Sequence, residues 1–148
     1  MQEPLLIGWR EWVSLPQLGL TAIKAKIDTG ARSSSLHVTA LETFERDGAP
    51  WLRFAIAPRR RSARTLQCEA PALDRRAVTD SGGRTAERWF IRSAVVVGGV
   101  RFDADINLTD RGGMLFPMLL GRTALRGRFR VDPGLSWVCG RRKRRASA

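Results

Sequence analysis

The residues best suited to chemistry are Asp28, Thr29 and Gly30, which follow the alternating run Ile23-Lys24-Ala25-Lys26-Ile27. A period of two puts Ile23, Ala25 and Ile27 on one face of a strand and both lysines on the other, so Asp28 should stand at the end of a half-buried strand. Glycine two residues on lets the backbone turn away sharply while the carboxylate stays fixed. Two such carboxylates brought together could not both ionise easily. They would hold one shared proton, one acting as base toward a water and the other as acid, and the titration would belong to the pair. The Thr29 hydroxyl can donate and accept, which suits it to locking the loop and tying two copies together. Taken alone, Asp-Thr-Gly is a weak signal, because short surface turns are rich in these residue types.

A second stretch changes that weighting. Met118-Leu119-Leu120-Gly121-Arg122-Thr123-Ala124-Leu125 is an apolar strand ending in Gly-Arg and running into a short helical segment. The pattern resembles that of the retropepsins. It is closer still to a bacterial retropepsin-like family often labelled ATP-dependent zinc proteases, through Gly8-Trp9-Arg10-Glu11-Trp12-Val13, Lys24 to Arg32, Leu36-His37, Leu108-Thr109-Asp110-Arg111, Met114 to Arg122 and Phe129-Arg130-Val131-Asp132-Pro133. The resemblance runs over nearly the whole chain.

It implies an all-β, retropepsin-like closed barrel with one short helix near residues 122–127, and an aspartic peptidase with Asp28 as the catalytic residue. Thr29, Gly30, Ala31 and Arg32 would support the catalytic loop. Leu119, Leu120, Gly121 and Arg122 would thread behind it, with the glycine allowing close backbone approach. Ser81, Gly82 and Gly83 fall where the family has its flap, a hairpin whose amides bond the substrate backbone; an ordinary β-turn is the plain alternative. Asp80-Ser81-Gly82 fits the pattern of a second lobe, yet no comparable apolar strand precedes it. One chain therefore supplies one carboxylate, and the resemblance implies a symmetric homodimer with the site on its twofold axis. Family members often accompany ATP-grasp glutamate ligases, which suggests a functional link to such a ligase and a substrate with glutamate-rich tails.

Arg32 departs from the acidic or small residues usual after the motif in viral retropepsins. Pointed at the dyad it would lower the carboxylate pKa values; pointed outward it could bind an acidic substrate group. No cofactor and no metal are expected. The single histidine, His37, has no second His or Cys at a useful short spacing, so the zinc label finds no ligand set, and it is expected to pack near the end of a strand beside Leu36 and Val38. Asp103 and Asp105 share one face of a strand, which reads more simply as a solvated face than as a metal or acid pair.

The elements that must position these residues are short strands. Candidates are Trp9 to Val13, Ala22 to Ile27, Leu52 to Ala57, Arg88 to Ile91, Ala94 to Val97, Val100 to Ile106 and Met118 to Leu120, with turn signals at Asp47-Gly48 and Gly98-Gly99. Many short strands at close spacing indicate a barrel or sandwich. With 148 residues the chain suits one domain, taken as residues 1–139, followed by a basic tail over 140–148 that is expected to be disordered.

Lys and Arg number 26 against 14 Asp and Glu, a net charge of +12, which favours anionic partners. Cys68 and Cys139 lack a disulfide framework or zinc spacing and read as free thiols in a reducing compartment. No apolar stretch approaches a membrane span and no leader pattern opens the chain, so a soluble, cytoplasmic protein with no membrane partner is expected. The leading reading is a peptidase acting on a protein or peptide substrate, acidic if the charge is a guide. The alternative is a weakly active or inactive retropepsin-fold module that binds an acidic peptide or a partner enzyme. Nucleic-acid binding through Arg59-Arg60-Arg61 and Arg141 to Arg145, with the five tryptophans as stacking platforms, ranks last because no recognition motif supports it.

Overall fold

The computed structural model describes residues 3–58, 64–80, 82–110 and 115–140. Arg59-Arg60-Arg61, Ser81 and the basic tail beyond Gly140 lie outside the described residues.

Twelve strands and one helical turn make up the described chain. Six strands form a closed ring: β2 (Arg10–Leu15), β3 (Leu20–Ile27), β11 (Met118–Leu120), β4 (Ser34–His37), β10 (Val100–Thr109) and β9 (Thr85–Val97). The ring closes where Ser14 of β2 meets Val96 of β9. Strand β8 (Asp74–Thr79) pairs with the outer half of β9 and projects with it as a long hairpin. Two smaller sheets flank the ring. One pairs β1 (Leu5–Ile7) in parallel with β12 (Phe129–Val131); the other is the meander β5 (Thr39–Arg46), β6 (Ala49–Ile56) and β7 (Leu66–Pro71), inserted between β4 and β8. This is the mostly β, retropepsin-like architecture that the motifs imply.

Local sequence explains the connections. Asp47-Gly48 and Gly98-Gly99 each form a two-residue hairpin loop with positive φ at both positions, the type I′ geometry that matches strand twist. Pro16 opens a 3-10 turn, Pro16–Leu18, and Gly19 closes it at φ 74° before β3.

The alternation in β3 is resolved as read. Ile23, Ala25 and Ile27 are buried, and Lys24 and Lys26 are exposed. They join Leu36, Ile91, Val95, Ile106, Met118 and Leu120 in one core, to which the meander adds Leu52, Phe54 and Ile56. Burying a side chain of this size contributes roughly 1.5–3 kcal/mol, so the meander is held on the ring by its own inner face.

The sequence predicts two strands over the span of β9, Arg88 to Ile91 and Ala94 to Val97. The structure instead shows one 13-residue strand, in continuous register with β10 from Val97 to Phe90. The polar pair that suggested a break is accommodated without one: Arg92 reaches out to Asp105 at 2.9 Å, and Ser93 bonds the Ala94 carbonyl. The helix, α1, is one turn, Arg122–Leu125, shorter than the expected span to Gly127 because the chain turns at Arg126 and Gly127 toward β12.

Candidate active site

Strand β11 lies between β3 and β4. It runs parallel to β3, with Met118 beside Ala25 and Leu120 beside Ile27, and antiparallel to β4, with Met118 beside Leu36. Residues 28–33 must therefore leave β3, cross the end of β11 and enter β4 on its far side. Asp28 sits at the start of that crossing, half-buried.

The crossing is pinned along its length. Asp28 N donates to Leu120 O at 2.9 Å, Arg122 N to Ala31 O at 2.7 Å, and Thr123 to Arg32 O through its backbone N at 3.2 Å and its hydroxyl at 2.9 Å. Arg122 Nη1 reaches Thr29 O at 3.3 Å. The fit leaves no room at Gly121, where a Cβ would lie 2.6 Å from the Ser33 carbonyl carbon and 2.9 Å from Ala31 O, and closer still to Ser33 O. Gly121 has φ −95°, so this position needs glycine for space rather than for backbone freedom.

Within the loop, Asp28 Oδ1 accepts from Gly30 N at 2.9 Å, and Ala31 N donates to Asp28 O at 3.3 Å. Oδ2 has no hydrogen-bond partner among the described residues, which leaves one carboxylate oxygen for a water or a second carboxylate. Thr29 is exposed, and it enters the loop's bonding through its carbonyl. Arg32 is exposed, with its guanidinium unbonded among the described residues. Leu120 is fully buried and Leu119 half-buried behind the loop.

Gly82 and Gly83 lie at the exposed tip of the β8–β9 hairpin, and Gly83 has φ 82°. Asp80 holds that tip: its Oδ1 accepts from Gly82 N at 2.9 Å and from Arg84 N at 3.0 Å.

Sequence reading missed three supporting residues. Asn107, fully buried in β10, accepts from Ser35 Oγ at 3.1 Å and Arg88 Nη1 at 3.2 Å and donates to Ser34 O at 2.9 Å. It links the strand that leaves the loop to the strand that carries the hairpin. Ser34, also fully buried, accepts from Gly121 N at 3.1 Å. Glu11, buried on the inner face of β2, accepts from Gly8 N at 2.7 Å, Val138 N at 2.9 Å and Cys139 N at 3.1 Å, clasping the C-terminal segment to the strand beside β3. For Glu11 the available signal is a polar residue on the strand face of Val13 and Leu15; Asn107 shares its face with Asp103, Asp105 and Thr109 and Ser34 lies in a polar stretch, so neither carries such a signal.

Among the described residues no three His, Cys, Asp or Glu side chains come together to hold a metal ion. His37 Nδ1 is buried without a hydrogen-bond partner among them. Asp105 bonds Arg92 at 2.9 Å and Arg76 at 3.1 Å, and these cations hold its carboxyl below the usual range. Every tryptophan has a cation of this chain over its ring: Arg10 for Trp9 and Trp137, Lys24 for Trp12, Arg46 for Trp51 and Arg75 for Trp89. Both thiols are free, and no described helix is long and apolar enough to cross a membrane.

A family model described as RimB-like, "Retropepsin-like aspartic endopeptidase RimB", matches residues 6–142. The chain belongs to that family. Curated relatives of this RimB-like chain include proteins named "Probable alpha-L-glutamate ligase" from Desulfotalea psychrophila and Shewanella pealeana, each 40% identical over 136 residues. A protein of the same name from Parasynechococcus marenigrum is 41% identical over 134 residues. These matches cover 90–91% of this chain but only 29–30% of the relatives, so the chain spans less than a third of their length. A crystal structure of a Legionella pneumophila protein of unknown function superposes with a TM-score of 0.75 at 29% identity, covering 91% of this chain and 98% of that one.

Proposed function

We propose that the chain is an aspartic peptidase of the retropepsin type, in which two copies of Asp28 meet across a homodimer axis and share one proton. The observation that carries this reading is the fixation of Asp28. Its carboxylate ends a central strand, its peptide N–H is bonded to β11, and its loop is clamped by Arg122 and Thr123. Such rigidity is what an acid–base pair requires, since a water must be held within hydrogen-bond reach of one carboxylate while the other protonates the leaving group. The β8–β9 hairpin, glycine-bearing at its tip, would fold over the bound peptide as the flap. The site needs a second carboxylate, and the homodimer supplies it.

The substrate is a protein or peptide rich in acidic side chains, and the reaction belongs to the cytoplasm. Three observations support this. The chain carries +12, its thiols are free, and its counterpart occupies under a third of larger proteins named for glutamate ligation, which fits a link between this unit and an ATP-grasp ligase. The second reading, a non-catalytic module that binds an acidic peptide or partner enzyme, is favoured by the one carboxylate per chain and the exposed, unbonded Arg32.

The deciding experiment compares wild type with Asp28→Asn on glutamate-rich and mixed-sequence peptides across acidic to neutral pH, with sedimentation in the same buffers. A cleaving dimer whose activity vanishes in a folded Asp28→Asn variant is expected. A persistent monomer, or cleavage that survives the substitution, overturns the dyad.

A further inference from the structure

Beside the loop that carries Asp28 lies a cavity of about 630 Å³, walled by the loop exit, α1, the base of the β8–β9 hairpin and β10. Four arginines, Arg32, Arg76, Arg92 and Arg128, line it against two acids, Asp103 and Asp105. The arginines are not equally available. Arg76 and Arg92 share Asp105, and Arg76 also holds Asp74 at 2.9 Å. Arg128 lies over the Phe102 ring at 4.6 Å and bonds Ala124 O at 3.3 Å, which leaves much of its fork of five donors unused. The Arg32 guanidinium has no partner among the described residues, while its backbone is held by the two bonds from Thr123. A cation anchored at its Cα, free at its head and facing a cavity of excess positive charge is arranged to receive an anion.

The position of Arg32 limits what that anion is part of. Arg32 follows Asp28 by four residues, so their Cα atoms are at most about 14 Å apart. An extended peptide advances about 3.3 Å per residue, which places the cavity within about four residues of a peptide bond held at Asp28. We propose that this cavity is a subsite for a carboxylate of the bound peptide, with Arg32 as the principal ligand, Arg128 as its second, and Arg76 and Arg92 as a fixed positive wall neutralised in part by Asp105. The proposal rests on the peptidase reading for the placement of the peptide. Arg32 and Arg128 are specificity residues; neither takes part in bond cleavage.

The test measures binding to the Asp28→Asn protein by fluorescence anisotropy, using three labelled peptides of one length. The first has glutamates flanking the central bond and an amidated C-terminus, the second has glutamines and an amidated C-terminus, and the third has glutamines and a free C-terminus. A charge-assisted pair in a partly enclosed site is worth about a factor of ten or more in affinity. The glutamate peptide, or the free-terminus peptide if the bound group is the terminal carboxylate, is expected to bind at least about tenfold tighter than the neutral one. Arg32→Gln with Arg128→Gln should reduce that ratio to under about threefold. Arg130→Gln, which removes one exposed charge on β12 away from the cavity, should leave it unchanged.

A ratio that persists in the double variant, falls equally in Arg130→Gln, or is absent from the start overturns the subsite. Wild-type cleavage is scored separately with the same peptides. Cleavage without acidic preference removes the subsite and leaves the peptidase, whereas preference without cleavage removes the peptidase and leaves an anion-binding cavity.

Discussion

Replacing Gly121 by alanine adds one methyl group at the point where the Asp28 loop crosses β11. The methyl carbon would lie 2.6 Å from the Ser33 carbonyl carbon and 2.9 Å from Ala31 O. Real Cβ atoms essentially never approach within 3.0 Å, and the atoms it would meet, in Ser33 and Ala31, are all backbone, so the loop itself must shift by several tenths of an ångström. Overpacking of this kind costs about 1–3 kcal/mol. The shift also stretches the Arg122 N to Ala31 O bond of 2.7 Å and the Asp28 N to Leu120 O bond of 2.9 Å, each worth about 1 kcal/mol. A total loss of about 3–5 kcal/mol is expected from urea unfolding followed by tryptophan fluorescence. Gly134→Ala is the matched control, because its Cβ would meet only the Asp132 Oδ1 atom at 3.2 Å, and the two substitutions gain similarly from the stiffer unfolded chain. Peptide cleavage, assayed where the Gly121→Ala variant remains folded, should fall with the displaced carboxylate. If Gly121→Ala unfolds within about 1 kcal/mol of Gly134→Ala, the crossing is loosely packed and does not fix Asp28.

Glu11→Ala should destabilise the fold by about 3 kcal/mol or more, since the three backbone N–H groups that Glu11 accepts from lose their acceptor; denaturation within about 1 kcal/mol of wild type would show the clasp to be dispensable. Cys139 should alkylate slowly in the folded protein. Burial first, and then the Glu11 charge, push its thiol up to about 11, so at pH 8 the thiolate is roughly a hundredfold scarcer than for an ordinary cysteine. Iodoacetamide labelling as fast as in the urea-unfolded chain would contradict that environment.

The elements read most securely from sequence were those with a clean period of two and a punctuated end. Strand β3 with Asp28 at its terminus, β11 with Gly-Arg after it, and the two type I′ loops follow from side-chain alternation and from residues that tolerate positive φ. Strands β1, β5, β7, β8 and β12 did not stand out, and of β4 only the end at Leu36-His37 reads as strand. Ser34-Ser35-Leu36-His37 is too polar to suggest a strand in the ring, yet Ser34 is buried because its hydroxyl serves Gly121 N. Strand β5 is mainly exposed and β8 almost wholly so, so neither carries an apolar stripe; they are held by backbone pairing to β6 and β9. In β2 one pair departs from a simple apolar-in, polar-out pattern: Glu11 lies inside with Val13 and Leu15, and Trp12 is half-exposed against Trp137. A carboxylate goes inward there because three backbone donors converge on it, and those donors belong to residues 3 and more than 120 positions away, beyond the reach of any local pattern.

The site shows the same limit more sharply. Asp28 with Gly30, Asp80 with Gly82 and Asp132 with Gly134 make one and the same local bond, in which the aspartate Oδ1 accepts from the N–H of the glycine two residues on at 2.9 Å. An aspartate two residues before a glycine therefore specifies a local bond, not a chemistry. Asp80 spends the same oxygen on Arg84 N as well and holds a hairpin tip; Asp132 lies exposed on the chain leaving β12, with its carbonyl bonded by Leu135 N. At Asp28 the turn is mounted on a strand of the closed ring, and its peptide N–H is bonded to β11, which is 90 residues on in sequence. Local sequence forms that bond cheaply at all three places, but only the long-range insertion of β11 makes one of them rigid, and Gly121 is the residue that lets that insertion happen.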